Sequence, residues 1–131
     1  MSTLLLDADV FSFLFKDHSL AEAYGPHVKG HTLAISFMTV AELYQGAFRA
    51  GWGAKQIERL ESRIAAYVFI PSSHAISKRW GEVRFLRRAQ PISPEDAWIA
   101  ATALQQGYPL VTHNAKDFQN IPGLNIITES V

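Results

Sequence analysis

The segment Thr3-Leu4-Leu5-Leu6-Asp7 is a short apolar run that stops at an acidic residue. Apolar runs without alternation are typical of strands that are buried on both faces of a parallel sheet. In open parallel sheets, ligands bind beyond the carboxyl ends of the strands. The segment therefore predicts a first strand that places Asp7 at the ligand-binding edge of a sheet.

Similar apolar segments recur along the chain and are separated by helical patterns. They predict strands over residues 32–35, 67–70, 110–112 and 125–127. Strands that alternate with helices form crossover units, in which the sheet is parallel and helices cover both faces. We therefore expect an α/β fold with three layers, α/β/α, and a mainly parallel sheet of about five strands. Residues 1–131 should form a single domain, because this length is typical of one domain.

Six helices are predicted between these strands. The helix that starts after Ser93 has the clearest signal, because a cap residue precedes a proline and two acids. The helix over 73–89 should bury Ile76, Trp80, Val83 and Leu86, and the dipeptide Gly25-Pro26 should end the second helix. The predicted helices cover residues 10–14, 20–24, 37–50, 54–67, 73–89 and 94–106.

Composition restricts the chemistry. The chain has no cysteine, which excludes disulfides, thiolate nucleophiles and cysteine-bound zinc. The five histidines show no metal-ligand spacing, so any metal site should consist of oxygen ligands, which suit Mg²⁺ or Mn²⁺. We expect a cytoplasmic location, because the sequence contains no secretory signal and no apolar run long enough to span a bilayer.

Acidic residues follow several of the predicted strands. Asp7 follows the first strand, Glu42 lies in the helix after the second, Asp96 lies in the first turn of a helix, and Asn114 and Asp117 follow the fourth strand. Two like charges about 4 Å apart repel by roughly 4 kcal/mol at an effective dielectric constant of about 20. A divalent cation would reverse this penalty and could activate a water molecule for phosphodiester cleavage.

Basic residues concentrate in one segment, although the formal net charge of the chain is zero. Between residues 73 and 90, five basic residues stand against Glu82 alone. A solvated helix face explains this pattern well, and a phosphate-binding edge is the alternative. The candidates for contacting such phosphates are Arg84, Arg87 and Arg88, which lie at intervals of three and four along one helix edge.

Four sequence blocks, taken together, resemble a VapC-type PIN domain over nearly the whole chain. The blocks occur in family order and cover residues 5–10, 36–46, 96–103 and 110–124. The resemblance implies an Mg²⁺- or Mn²⁺-dependent endoribonuclease, the toxin of a type II toxin–antitoxin pair. It also implies a VapB-like antitoxin partner and a homodimer. The implied catalytic and metal-binding residues are Asp7, Glu42, Asp96 and Asp117, with Asn114 lining the same pocket.

One block departs from the family pattern. The family usually has Asp-Thr-Asn or Asp-Ser-Asn after the first strand, whereas this chain has Asp7-Ala8-Asp9. The number of bound ions is therefore left open. We predict Asp9 to cap a helix beginning at Val10 rather than to bind metal.

Each candidate residue also has a purely structural interpretation. Asp96 could cap its helix, Glu42 could be an ordinary surface residue, and Asp117 could fix a turn. Trp52, Trp80 and Trp98 are expected to pack rather than to stack on bases.

Two other functions remain open at this point. One is a catalytically inactive PIN-like module that binds RNA or a protein. The other is a phosphoacceptor or phosphatase domain that uses Asp7 and Asp9, although no lysine follows a later strand in the position such a domain needs.

Overall fold

Five parallel strands form the centre of the computed structural model, which describes residues 2–130. Met1 and Val131, the ends of the predicted domain, lie outside the described residues. The strands pair in the order β3-β2-β1-β4-β5, and every pair is parallel. The predicted α/β class with a parallel sheet is thereby confirmed. The strands are β1 (Thr3–Leu6), β2 (Thr32–Ser36), β3 (Val68–Ile70), β4 (Leu110–Val111) and β5 (Ile126–Ile127).

Six α-helices connect these strands within residues 2–130. A short 3-10 helix, Ala115–Phe118, follows β4 and was not predicted from the sequence. Over the same residues, no helix combines the length and the apolar content required to cross a bilayer. The α-helices are α1 (Ala8–Phe15), α2 (Ala21–Val28), α3 (Phe37–Arg49), α4 (Ala54–Ala65), α5 (His74–Leu86) and α6 (Pro94–Gln106).

Side chains on the two faces of the sheet enter two separate hydrophobic clusters. In β1, Leu5 packs with residues of α5 and α6, whereas Leu4 and Leu6 pack with residues of α1 to α4. This division follows from the alternation of side chains along a strand. The result is the predicted three-layer arrangement, with α5 and α6 on one face and α1 to α4 on the other.

The order of the strands creates a crevice beside β1. The chain passes from β1 to β2 and β3 on one side and later returns to β4 and β5 on the other. The Asp7 amide donates a hydrogen bond of 3.1 Å to the Val111 carbonyl, so β1 and β4 end together. Ligands of open parallel sheets bind at such a reversal of strand order.

Two of the predictions about helices are wrong. Gly25-Pro26 does not end α2, which continues to Val28 with Pro26 inside it. Pro26 lacks an amide donor and its ring crowds the carbonyl four residues earlier, but the packing of the fully buried Tyr24 holds this helix against the sheet. Leu86 was expected to be buried, but it is the last residue of α5 and is 54% exposed.

Candidate active site

Asp7 is held at the junction of β1, β4 and α1. Its Oδ1 accepts a hydrogen bond of 2.9 Å from the Val10 amide, which makes Asp7 the N-cap of α1. Its Oδ2 accepts a hydrogen bond from the Thr112 hydroxyl, beyond the end of β4. Only 5% of Asp7 is exposed, and this burial raises the pKa of its carboxyl group to about 6 although both hydrogen bonds lower it.

Glu42 reaches the same place from α3, the helix that follows β2. Ser36 caps this helix by accepting a hydrogen bond of 3.1 Å from the Thr39 amide. Glu42 is half-buried, and burial is the main reason why its pKa rises to about 7. The negative charges of Asp96 and Asp7 raise the pKa further, and all three carboxyl groups line the same cavity.

Asp96 lies in the first turn of α6. Ser93 is the N-cap of this helix, because its hydroxyl accepts a hydrogen bond of 3.1 Å from the Asp96 amide. The carboxyl group of Asp96 is therefore not needed as the cap. Its pKa is raised, mainly by burial and also by the charges of Asp117, Glu95 and Asp9.

Asp9 and Asn114 bridge the crevice between β1 and β4. The side-chain amide of Asn114 donates a hydrogen bond to the Asp9 carboxylate. The Asn114 backbone amide donates a bond of 3.0 Å to the Thr112 hydroxyl. Our prediction that Asp9 caps the first helix is wrong, because the helix begins at Ala8 and Asp7 occupies the cap position.

These side chains line one cavity of about 230 Å³ at the carboxyl end of the sheet, which we call the acidic cavity. It brings together four carboxyl groups that the sequence separates by up to 89 positions, along with the amide of Asn114. No histidine lines it. The lining residues are Asp7, Ala8, Asp9, Glu42, Asp96, Ile99, Asn114 and Phe118.

Asp117 lies beside this cavity rather than in it. It lines an adjoining cavity of about 270 Å³ that it shares with Asp96 and Lys116. Its negative charge nevertheless contributes to the raised pKa of Asp96, so the two carboxyl groups interact electrostatically. Asp117 is thus placed to act on the acidic cavity through Asp96.

The acidic cavity fits a hydrated Mg²⁺ ion better than a fully dehydrated ion. Within residues 2–130, no three Asp, Glu or His side chains converge closely enough to bind one ion directly. Mg²⁺ commonly keeps several waters and contacts only one or two carboxylates. The donor set consists of oxygens only, and the neighbouring negative charges add to the burial that raises the pKa of Asp7 and of Glu42. Both features match the requirements of such a cation.

Arg87, one of the three residues predicted to contact phosphates, has a structural role. Its guanidinium donates hydrogen bonds to the backbone carbonyls of Gln90 at 2.8 Å, Asp117 at 3.2 Å and Gln119 at 2.8 Å. Arg87 is the C-cap of α5 and is 9% exposed. It therefore ties the end of this helix to the segment that carries Asp117.

Arg84 and Arg88 do not form a shared edge with Arg87. The Arg84 guanidinium lies 5.3 Å from the Trp80 ring centroid. The Arg88 guanidinium lies 4.1 Å from the Phe85 ring and donates a bond of 3.0 Å to the Phe85 carbonyl. The three were expected on one helix edge, but α5 ends at Leu86, so only Arg84 belongs to the helix.

Thr112 is a site residue that the sequence pattern identifies only as the end of a strand. Its fully buried hydroxyl connects Asp7 with Asn114. A hydroxyl residue at a strand end, directly before two polar residues, is the signal that could have identified it.

Comparisons with known proteins agree on one family. The family described as "PIN domain" matches residues 4–124. The chain is 30% identical over 124 residues to ribonuclease VapC1 of Haemophilus influenzae strain R2866, covering 92% of each protein. It is 24% identical over 126 residues to the tRNA(fMet)-specific endonuclease VapC of Shigella flexneri, covering 95% of this chain and 96% of that protein. Its fold superposes with a TM-score of 0.83 on VapBC2 from Rickettsia felis, crystallised with a promoter DNA fragment, at 25% identity and with 96% and 98% coverage.

Proposed function

This chain belongs to the PIN-domain family, and we propose that it is a VapC-type endoribonuclease that hydrolyses RNA at the acidic cavity with Mg²⁺ as its cofactor. The observation that carries the proposal is the meeting of Asp7, Asp9, Glu42 and Asp96 around one cavity. The named ribonuclease activity of the relatives supports the choice of RNA. In this proposal the reaction takes place in the cytoplasm.

The ion would be held by Asp7, Glu42 and Asp96, directly or through water, with Mn²⁺ as a possible substitute. When bound, it supplies Lewis-acid polarisation of the phosphodiester and lowers the pKa of a coordinated water. Asp117 helps to orient the site through its electrostatic interaction with Asp96. The Thr112 hydroxyl holds the Asp7 carboxylate in place, so this group need not reorganise during the reaction.

Asp9 and Asn114 lie together in the lining of the acidic cavity. The hydrogen bond from Asn114 fixes the Asp9 carboxylate, and Asn114 remains part of the cavity lining, where we assign it to substrate binding. The replacement of the usual family residues by Ala8 and Asp9 thus adds a carboxylate that is already paired with an amide.

The phosphoacceptor alternative is not favoured. Both oxygens of Asp7 accept hydrogen bonds, one from the Val10 amide and one from Thr112. A carboxylate held in this way is a poor nucleophile, because its attack on phosphorus would break the helix cap and the contact with β4. Hydrolysis by water requires no such rearrangement.

The proposal includes partners. The similar structure from Rickettsia felis is a VapBC complex, and we infer that a VapB-like antitoxin binds and inhibits this chain. We also propose that the chain forms a homodimer.

The test is cleavage of total cellular RNA by the purified protein with Mg²⁺ and with EDTA. Cleavage should require the cation and should be lost in Asp7→Asn and Asp96→Asn, because each removes one negative charge from the cavity. Asp117→Asn should retain part of the activity, because Asp117 lies beside the cavity. Glu82→Gln, an exposed carboxylate on α5, is the matched control. Circular dichroism would establish that each variant folds.

Undiminished cleavage by Asp7→Asn would refute the proposal. RNA that shifts on a gel but is never cut by the wild-type protein would instead indicate the inactive binding module. If the wild-type protein cuts RNA, sequencing the cut ends would identify the RNA target.

A further inference from the structure

A groove leads away from the acidic cavity between α1 and α3. It encloses about 330 Å³, and Asp9 and Glu42 line one end of it. The same two residues line the acidic cavity, so the two spaces adjoin. Lys16, Arg49 and Trp52 lie among the other lining residues, which gives the groove a basic character away from the acidic cavity.

The basic character continues along α4. Two further cavities adjoin the groove, and Phe15 lines all three spaces. Beyond Asp9 and Glu42, the three spaces together present five cationic side chains against the carboxyl groups of Asp17 and Glu58. We call this surface the basic groove; its cationic and aromatic residues are Phe15, Lys16, Arg49, Trp52, Lys55, Arg59 and Arg63.

Aromatic rings and cations alternate in the basic groove. The ring centroids of Phe15 and Trp52 lie 6.1 Å apart. The guanidinium groups of Arg59 and Arg63 lie 5.7 and 5.6 Å from the Phe15 ring, and the Lys16 ammonium lies 5.7 Å from the Trp52 ring. Both rings are half-buried, so part of each remains accessible.

The cations of the basic groove are available to an anion. In the portion of the chain from residue 2 to residue 130, the one ion pair within 4.0 Å joins His27 to Glu129, and it does not involve the basic groove. Proteins that bind single-stranded nucleic acid combine such cations, which contact phosphates, with aromatic rings on which bases stack.

We propose that the basic groove binds the single-stranded RNA segment adjoining the phosphodiester that is cleaved in the acidic cavity. The inference rests on the proposed function, because that function supplies the scissile bond. Lys16 and Arg49, which line the same groove as Asp9 and Glu42, contact phosphates, and Trp52 stacks on a base. Single-stranded RNA fits this surface better than a polypeptide does, because cations that form no ion pair within residues 2–130 alternate with two aromatic rings that can stack on bases.

Binding should be measured with Asp96→Asn as the parent protein, so that the RNA is not cut. The probe is a fluorescein-labelled single-stranded RNA of roughly 12 nucleotides and mixed sequence, within the usual site sizes of such proteins. Fluorescence anisotropy at several salt concentrations gives the affinity and its salt dependence. Lys16→Gln and Arg49→Gln are exposed substitutions that should not disturb the core. Lys78→Gln, on α5 at the opposite face of the sheet, is the matched control.

Each of the two groove substitutions should reduce the slope of log affinity against log salt by about 0.7, the value for one phosphate contact with a single strand. Trp52→Leu should weaken binding roughly tenfold at every salt concentration, as expected for the loss of one stacked base. Lys78→Gln should change neither quantity.

Two results would overturn the inference while leaving the proposed function intact. In the first, Lys16→Gln and Arg49→Gln bind the RNA as the parent does, although the wild-type protein cleaves RNA. In the second, the same substitutions leave RNA binding unchanged but, when made in the wild-type protein, abolish the inhibition of RNA cleavage by a VapB-like antitoxin, which would assign the basic groove to a polypeptide. A wild-type protein that neither binds nor cuts RNA would refute both the proposed function and this inference.

Discussion

Replacing Asp7 by asparagine should stabilise the metal-free protein. Asp7 is 5% exposed, and burial penalises its charged form enough to raise the pKa to about 6. Asparagine removes the charge but keeps an oxygen that can cap α1, and asparagine and aspartate are comparable N-cap residues. The Thr112 hydroxyl can donate or accept a hydrogen bond, so it can bond to either end of the new amide.

The magnitude follows from the pKa. The rise from the ordinary value of 3.8 to about 6 corresponds to about 3 kcal/mol of stability lost when the carboxyl group ionises. Because the pKa is higher in the folded state, the unfolded chain loses its proton first as pH rises. The free energy of unfolding therefore falls between about pH 4 and pH 6 and stays lower above that range. Above pH 6, Asp7→Asn should avoid this loss.

Urea denaturation followed by circular dichroism, in EDTA and at a series of pH values, provides the measurement. The difference in unfolding free energy between Asp7→Asn and wild type should grow from pH 4 to pH 7, toward about 3 kcal/mol. The exposed control Glu82→Gln should stay within about 0.5 kcal/mol of wild type. Added Mg²⁺ should reverse the order by stabilising the wild type, since binding to the folded state raises stability. A variant that is less stable than wild type at pH 7 in EDTA would refute the reasoning.

Two further perturbations test other contacts of the site. Thr112→Val should raise the pKa of Asp7 above about 6, because it removes a hydrogen bond that lowers this pKa. The acid limb of the pH profile for RNA cleavage should therefore move to higher pH. An acid limb at the wild-type position would contradict this. Arg87→Ala should cost about 2 kcal/mol in urea denaturation, since three carbonyls lose a charged donor, whereas the exposed control Arg79→Ala should cost little. An equal loss in both variants would show that the Arg87 contacts do not stabilise the fold.

The sequence predicted the sheet well because its strands are short apolar segments with polar boundaries. Both the start of β1 at Thr3 and the start of α6 after Ser93 were expected, since each depends on neighbouring residues only. The end of α5 was placed too late, because nothing local marks Arg87 as a C-cap. Its role depends on carbonyls some 30 positions away, including that of Asp117.

The site was predictable in part for the same reason. The positions of Asp7, Glu42 and Asp96 relative to strand and helix ends indicated one common edge, and all three line the acidic cavity. The roles of Asp9 and Thr112 depend on contacts across 105 residues, which no local pattern encodes. The basic groove likewise combines residues of separate helices. The sequence pattern instead indicated the cluster of basic residues over 73–90, because these are neighbours along the chain.

The position of Asp7 links the stability of the fold to the proposed chemistry. Its carboxylate caps α1 and contacts β4 through Thr112, so the fold depends on an oxygen acceptor there. An asparagine would satisfy both contacts without the penalty of a buried charge, and the folded state alone therefore gives no reason to keep an acid. The raised pKa values of Asp7 and Glu42 show that the charges are costly where they lie. A cation in the acidic cavity would offset this cost, which is why the stability of Asp7→Asn relative to wild type should change sign when Mg²⁺ is added.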